Sequence, residues 1–209
     1  MRLIVAAMDS EVTSLIERFV QLEVEPFKLY QGKISGFDYL LVVTGVGKTN
    51  AAAGLSYALS KHPNMEIIIN LGIVGGYLVE LHEAYLVESA MYHDVDVTIF
   101  NYKFGQIPGQ PKIFLSDINE LSSKLNLKTM RLMTGDSFQT SKIDDKPYII
   151  DMEGASLFHV ANRFKKPIIS LKIVSDVIES KHQLETYTQS EQTLDEKLYQ
   201  ILLKLLEVI

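Results

Sequence analysis

The sequence contains no cysteine, which excludes disulfide bonds and thiolate metal sites. This absence fits a reducing compartment, and we expect the protein to be cytoplasmic. No apolar run approaches the roughly 20 residues that a helix needs to cross a bilayer. The first seven residues are mostly apolar, but Asp9 and Glu11 follow too soon for a signal peptide. We therefore expect no membrane association.

Basic residues are too few and too scattered to form a nucleic-acid-binding surface. Lys and Arg number 20 against 26 Asp and Glu, the net charge is −6, and no long basic run occurs. The five histidines lack the H-x-x-x-H spacing of a helical metal site. We therefore expect neither a metal nor an organic cofactor.

Apolar residues are abundant, at 47 % of the chain, and their pattern indicates an α/β fold. Predicted strands that are too apolar to expose one face to solvent alternate with amphipathic helical stretches. This pattern is typical of a sheet covered by helices on both sides. We predict one domain, residues 1–209, with three α/β/α layers and a central mixed, twisted sheet. The predicted strands include residues 2–7, 39–44, 67–69, 85–90, 148–151 and 167–174, and the predicted helices include residues 49–60, 155–164 and a C-terminal stripe from 194 to 209.

Three carboxylates stand where such a sheet gathers ligand-binding groups. Glu11 follows the first strand, and Glu153 and Asp176 stand at the ends of two later apolar runs. Ligands collect at the carboxyl ends of parallel strands. Each acid alone has a structural alternative, as a helix cap or a first-turn acid. Together they favour a site, and they predict an enzyme that acts on a cationic transition state.

Two glycine-containing segments follow other apolar runs. Residues 72–76 predict a loop in which Gly75 and Gly76 can adopt positive φ and allow the backbone to approach a ligand closely, with an ordinary tight turn as an equal alternative. Residues 44–49 look like a phosphate-binding P-loop, but Val42 occupies the place of its first glycine. We therefore reject a nucleotide triphosphatase, and we predict a structural or solvated role for Lys48.

Seven motifs occur together in a recognisable order. They are residues 7–12 (AMDSEV), 44–52 (TGVGKTNAA), 92–98 (YHDVDVT), 105–109 (GQIPG), 135–138 (GDSF), 152–153 (ME) and 175–177 (SDV). In this order they resemble the 5′-methylthioadenosine/S-adenosylhomocysteine nucleosidases of the purine nucleoside phosphorylase superfamily. The resemblance covers nearly the whole chain, and several spaced motifs are far more specific than one.

The resemblance implies hydrolysis of the N-glycosidic bond of a 5′-substituted adenosine, through a ribooxocarbenium-like transition state. Asp176 would protonate N7 of adenine, Glu11 would activate the attacking water, and Glu153 would hold the ribose hydroxyls. General acid catalysis of this kind contributes roughly 10²–10⁴-fold. An acid that stays protonated near neutral pH needs a raised pKa, which a dry pocket can supply.

The resemblance also implies a set of substrate-binding residues. Adenine would stack on Phe138, ribose would pack against Met152, and the 5′-substituent would lie near Tyr187. For the apolar members the alternative is ordinary core packing. The implied set is Met8, Val46, Gly75, Ser137, Phe138, Gln139, Met152 and Ser175.

A neighbouring subunit closes this pocket in the family. The matching loop here contains Val97, Phe100, Tyr102 and Pro108. Apolar and aromatic residues in a Gly/Pro-rich loop are unusual when fully exposed. The resemblance therefore implies a homodimer.

The chain departs from the family pattern at three places. Ile73 replaces a serine that helps to hold the catalytic water, or phosphate in the phosphorylases. Lys172 replaces an arginine, which keeps the charge but loses the planar fork, and the segment 139–146 is shorter than usual. The first two changes weaken an anion site and favour hydrolysis over phosphorolysis. A purine nucleoside phosphorylase, a futalosine or aminofutalosine hydrolase and a non-catalytic nucleoside-binding protein are the alternatives.

Overall fold

A computed structural model describes residues 1–116, 118 and 120–209. Short 3-10 helices lie at Asp9–Glu11 and Thr98–Phe100. Of the helices described, none is both long enough and apolar enough to cross a bilayer. The other elements are β1 (Arg2–Ala6), α1 (Thr13–Ile16), β2 (Val20–Glu23), β3 (Lys28–Ile34), β4 (Phe37–Val43), α2 (Lys48–Lys61), β5 (Ile68–Tyr77), β6 (Ala84–Tyr92), β7 (Phe114–Leu115), α3 (Leu121–Leu125), β8 (Lys128–Thr134), β9 (Tyr148–Asp151), α4 (Gly154–Phe164), β10 (Ile168–Val177), α5 (Gln183–Glu191) and α6 (Asp195–Leu206).

One mixed sheet joins these strands. β1 runs parallel to β4 and to the first part of β5, and β10 runs parallel to β5 along most of its length. β3 and β2 extend the sheet in antiparallel fashion beyond β4. On the other side, β6 pairs with β10 and β8, and β9 joins β8 to the far half of β5. The predicted central mixed sheet is confirmed, and it turns back on itself through β5, β10, β6, β8 and β9.

The first strand illustrates why helices cover both faces of the sheet. Leu3 and Val5 pack in one core with residues of α2 and α4, whereas Ile4 and Ala6 pack in a second core with residues of α1 and α6. Successive side chains of a strand point to opposite faces, so a strand that is apolar throughout needs cover on both. The three-layer α/β/α arrangement is confirmed.

The loop predicted at residues 72–76 is wrong, because these residues belong to β5. Gly75 pairs with Ile150 of β9 on one side and with Asp176 of β10 on the other, so hydrogen bonds on both edges keep the chain extended. Neither Gly75 nor Gly76 has a positive φ. The group that approaches Gly75 in the structure is a side chain: a Cβ on Gly75 would lie 3.1 Å from Asp176 Oδ2. Glycine is needed at position 75 because a larger residue would crowd the Asp176 side chain.

Candidate active site

A pocket opens where the carboxyl ends of β1, β4, β8 and β9 meet the second halves of β5 and β10. The structure brings all three predicted catalytic acids and all eight predicted substrate-binding residues to its walls. The walls also include Ile73, Asp151 and Tyr187. The predicted residues that line the pocket are Met8, Glu11, Val46, Gly75, Ser137, Phe138, Gln139, Met152, Glu153, Ser175 and Asp176.

Glu11 is buried in the 3-10 turn that follows β1. Its Oε2 accepts hydrogen bonds from the N–H groups of Ala7 and Met8, both at 3.0 Å, and its Oε1 accepts one from the N–H of Ile73 at 2.9 Å. Burial raises the pKa of this carboxyl, against the lowering effects of the Lys172 ammonium and of these three hydrogen bonds. Ile73 therefore holds Glu11 through its backbone, and this contact does not depend on the side chain at position 73.

Asp151, which the sequence analysis missed, caps α4 and leaves the Glu153 side chain free. Both carboxylate oxygens of Asp151 accept hydrogen bonds from the N–H of Gly154 at 3.0 Å, and Thr134 Oγ1 donates to Asp151 Oδ1 at 2.7 Å. Asp151 stands two residues before Glu153, which occupies the N-cap position, so the usual N-cap rule does not mark it in the sequence. Glu153 turns away from the helix, and its Oε1 accepts a hydrogen bond from the N–H of Gly47 at 2.7 Å.

Lys172 is a buried cation among these carboxylates. Its Nζ lies 3.1 Å from Asp151 Oδ2, and both side chains are almost fully buried. A Cβ on Gly72 would lie 2.9 Å from Lys172 Nζ and 2.7 Å from Glu11 Oε1. Both charged groups therefore pack against the Gly72 backbone, in space that a side chain at position 72 would occupy. The Lys172 charge lowers the pKa values of Glu11 and Glu153. It therefore favours the ionised forms of these two acids.

A β-bulge aims Asp176 into the pocket. The pairing of β10 with β5 shifts between Val174 and Asp176, so Ser175 is the extra residue. Ser175 Oγ lies 2.7 Å from Asp176 Oδ1 and 3.0 Å from the carbonyl oxygen of Val74. Its single proton cannot serve both acceptors, and a protonated Asp176 that donates to Ser175 satisfies the whole chain. Burial raises the pKa of Asp176, against hydrogen bonds from Ser175 and Gln183 that lower it.

The N-terminus of α2 receives carboxylates from two other segments. The N–H of Gly47 holds Glu153, and the N–H of Lys48 donates to Asp136 Oδ1 at 2.8 Å. The Lys48 ammonium pairs with Asp94 and with Asp136. These contacts tie together the segments that follow β4, β6 and β8, which matches the structural role predicted for Lys48.

The apolar part of the pocket lies around Phe138 and Tyr187. Their rings meet edge to face, with centroids 5.4 Å apart, and Tyr187 Oη lies 4.0 Å from Met8 Sδ. Phe138 is 45 % exposed, so this wall is open to solvent in the structure. The pocket thus has an acidic end within the sheet and an apolar end at its mouth.

Residues 2–207 match the family model of the phosphorylase superfamily. The chain belongs to the phosphorylase superfamily. A curated 5′-methylthioadenosine/S-adenosylhomocysteine nucleosidase from Desulfotalea psychrophila (strain LSv54 / DSM 12343) is 32 % identical over 225 residues, which cover 98 % of this chain and 96 % of the relative. The resemblance predicted from the seven motifs is confirmed.

Solved structures also resemble this phosphorylase-superfamily chain over its whole length. One, from Borrelia burgdorferi B31, is assigned as a 5′-methylthioadenosine/S-adenosylhomocysteine nucleosidase and is bound to adenine; it is 29 % identical, with a TM-score of 0.88 and 100 % of both chains covered. Another, an S-adenosylhomocysteine nucleosidase from Streptococcus pyogenes in complex with 5-methylthiotubericidin, is 26 % identical, with a TM-score of 0.89, 99 % of this chain and 96 % of that chain covered.

The loop after β6 lies outside the pocket of this superfamily member. Phe100 is 70 % exposed, Tyr102 and Pro108 are exposed, and Val97 is partly buried. None of these four residues lines the pocket that the described residues form. The structure therefore leaves an exposed aromatic loop on the molecular surface.

We expect the unfolding free energy of this superfamily member to fall as the pH rises through about 7. Burial and then the Asp151 carboxylate raise the pKa of Glu153 from 4.5 to about 7. Between these two values the folded chain binds a proton that the unfolded chain has released, so the native state loses this advantage as the pH rises. The shift corresponds to about 3 kcal/mol. Urea unfolding at about pH 5 and about pH 8 measures it.

The variant Glu153→Gln is expected to reduce this dependence, because it removes one titrating group and keeps the shape; Glu11 and Asp176, whose pKa values are also raised, still titrate. Glu17→Gln is the matched control, since Glu17 is exposed. A Glu153→Gln variant that keeps the full pH dependence of the parent would contradict the assignment.

Proposed function

We propose that the chain hydrolyses the N-glycosidic bond of 5′-substituted adenosines, such as 5′-methylthioadenosine or S-adenosylhomocysteine, to adenine and a 5-substituted ribose. The observation that carries this proposal is the meeting of Glu11, Glu153 and Asp176 in one pocket, each buried and each with different partners. Acids placed in different surroundings can hold different protonation states at one pH, and this reaction needs both an acid and a base.

Asp176 acts as the general acid in this proposal. The C1′–N9 bond breaks, its electron pair enters the purine, and the proton of Asp176 passes to N7, so adenine leaves as a neutral base. The raised pKa of Asp176 supports this role, because it extends the protonated form toward neutral pH. The arrangement of Ser175 and Val74 also accommodates the protonated form.

Glu11 acts as the general base, and Glu153 stabilises the sugar cation. A water attacks C1′ and passes its proton to Glu11. Burial raises the pKa of Glu11, which makes its carboxylate a stronger base, while three N–H donors and the nearby Lys172 ammonium counteract this shift. Glu153 holds the ribose hydroxyls and places a carboxylate beside the positive charge that develops on the ring. The apolar wall of Met8, Phe138 and Tyr187 would take the base and a methylthio substituent.

The charge of the pocket favours water over phosphate as the nucleophile. The described residues that line it include four carboxylates, those of Glu11, Asp151, Glu153 and Asp176, and no Lys or Arg. The nearby buried cation, Lys172, is already paired with Asp151. A phosphate dianion would approach several carboxylates without a free cation to bind it. We therefore propose a hydrolase and not a phosphorylase.

We also propose that the enzyme is a homodimer in which the loop of Val97, Phe100, Tyr102 and Pro108 reaches the pocket of the partner subunit. The support is the exposure of this aromatic loop, together with the open wall at Phe138. The cytoplasmic location expected from the sequence remains a prediction.

Adenine release in phosphate-free buffer tests the proposed function. We expect the purified chain to release adenine from 5′-methylthioadenosine without phosphate and to form free 5-methylthioribose. S-adenosylhomocysteine, 5′-deoxyadenosine and aminofutalosine, run in parallel, would rank the 5′-substituents. Release that requires added phosphate, with a ribose 1-phosphate as product, would make the chain a phosphorylase. Nucleoside binding without turnover of any substrate would make it a binding protein.

A further inference from the structure

The turn that carries Glu11 is hydrogen-bonded to the end of α5 and to the start of α6. Immediately before Glu11, Ser10 Oγ donates to Glu191 Oε1 at 3.1 Å. Three residues after Glu11, the N–H of Ser14 lies 3.0 and 3.2 Å from the two carboxylate oxygens of Asp195, and Ser14 Oγ donates to Asp195 Oδ2 at 2.6 Å. The chain on both sides of Glu11 is therefore held by residues from near the other end of the sequence.

Asp195 supplies the cap that α1 lacks in its own sequence. The N-cap residue of α1 is Val12, whose apolar side chain cannot accept a hydrogen bond. An N-cap side chain accepts from the second or third N–H of a helix, and Ser14 is the second residue of α1. Ser14 is buried, so leaving its N–H without an acceptor would be costly. Glu196 Oε2 also lies 3.1 Å from Ser14 Oγ, but among the described residues only Asp195 accepts from this N–H.

Packing holds α1 and α6 together independently of these hydrogen bonds. Val12 lies in the same apolar core as Leu198, and the guanidinium of Arg18 lies 4.8 Å from the centre of the Tyr199 ring. The two helices should therefore stay associated when Asp195 is replaced. Apolar contacts are non-directional, so they do not by themselves fix the exact position of the turn. The directional bonds to Asp195 do.

We propose that Asp195 is a positioning residue for the reaction: by capping α1, it fixes the turn from which Glu11 reaches the attacking water. This inference rests on the proposed function, because it takes Glu11 as the general base. A reacting group must be held by side chains whose own positions are fixed. Misplacement by about 1 Å, caused by a change far from the chemistry, can cost on the order of 10²-fold in rate.

Kinetics of Asp195 variants test this inference. We expect Asp195→Ala to lower kcat for adenine release from 5′-methylthioadenosine by about tenfold, with the Kd for adenine within about twofold of the parent value, because the base end of the pocket is unchanged. Asp195→Asn keeps an oxygen that can accept from Ser14 and should recover most of the lost kcat. It also lacks the negative charge, so this recovery would exclude an effect on the α6 dipole. Glu207→Ala, at an exposed acid that follows α6, is the matched control and should leave kcat unchanged.

Hydrogen exchange reports on the position of Glu11 without any turnover. Three backbone N–H groups donate to the Glu11 carboxylate, and we expect them to exchange about threefold or more faster in Asp195→Ala than in the parent. Asp195→Asn should restore their protection. The N–H of Thr44, which donates to the carbonyl oxygen of Ala6, is the internal control and should exchange at the parent rate in both variants.

The outcomes separate a positioning role from a purely structural one. A parent-like kcat in Asp195→Ala, or an equal loss of kcat in Asp195→Asn, would overturn the inference. Weaker adenine binding in step with the lower kcat would also overturn it, because it would mean that the whole pocket has loosened. Thermal unfolding confirms that each variant is folded. If the parent releases no adenine, or if Glu11→Gln is as active as the parent, the proposed function fails first, and hydrogen exchange still decides whether Asp195 holds Glu11 in place.

Discussion

Asp176→Asn is expected to lower kcat for adenine release by about 10²–10⁴-fold, with the protein still folded and still able to bind adenine. Asparagine has nearly the same shape, and its carbonyl oxygen can still accept the hydrogen bond from Gln183 or Ser175. It has no acidic proton to give to N7, so the purine must leave as an anion. Steady-state kinetics with 5′-methylthioadenosine and calorimetric binding of adenine measure the two effects separately.

The leaving group provides the sharpest control for this experiment. A 5-methylthioriboside of 4-nitrophenol has a leaving group that departs as a stable anion, so Asp176→Asn should cleave it at close to the parent rate. Asp145→Asn, at a highly exposed aspartate, should behave like the parent with both substrates. Equal losses on both substrates would mean that Asp176 positions the sugar and does not protonate the base.

Lys172→Met is expected to lower the unfolding free energy by about 3–5 kcal/mol and to reduce activity sharply at neutral pH. The substitution leaves Asp151 as a buried carboxylate without its cation. It also removes the charge that lowers the pKa values of Glu11 and Glu153, so both values rise and less Glu11 is available as a base. Urea unfolding and the pH dependence of kcat/KM measure the two consequences.

Two further variants separate charge from shape at this position. Lys172→Arg keeps the charge and should retain most of the stability and activity. The double variant Lys172→Met/Asp151→Asn removes both members of the pair and should recover stability relative to Lys172→Met alone, because no unpaired charge stays buried. A Lys172→Met protein as stable as the parent would contradict this prediction.

The sequence was sufficient for the parts of the site that rest on local patterns. β1 and β4 can be recognised in the sequence as apolar runs. The polar segments after them can be recognised as parts of a site, because parallel strands direct their carboxyl ends to one edge of a sheet. The placement of Glu11, Glu153 and Asp176 in one pocket follows from that rule together with the family motifs. Their individual roles remain predictions.

The features that the sequence did not reveal depend on contacts between distant segments. Residues 72–76 look like a glycine loop, yet pairing with β9 and β10 on both edges holds them in a strand, and neither partner is close in sequence. Gln183 is only seven residues from Asp176 along the chain, but the two side chains meet because α5 packs against β10, and the sequence pattern does not mark this packing. The contact between Asp151 and Gly154 is local, but Asp151 stands two residues before the N-cap residue Glu153, outside the position where a capping acid is expected.

In the proposed reaction, the start of α2 would set the spacing between the sugar-binding and base-binding parts of the pocket. The N–H of Gly47 donates to Glu153, the proposed partner of the ribose hydroxyls, and the N–H of Lys48 donates to Asp136, which precedes the loop proposed to contact the base. Two adjacent peptide groups at the start of one helix would thus hold both parts. The 5′-substituent would lie beyond these two parts, near Met8 and Tyr187. Nucleosides that differ only at the 5′ position would then present the same bond to the same acids, and a change of 5′-substituent would leave the contacts at the base unchanged.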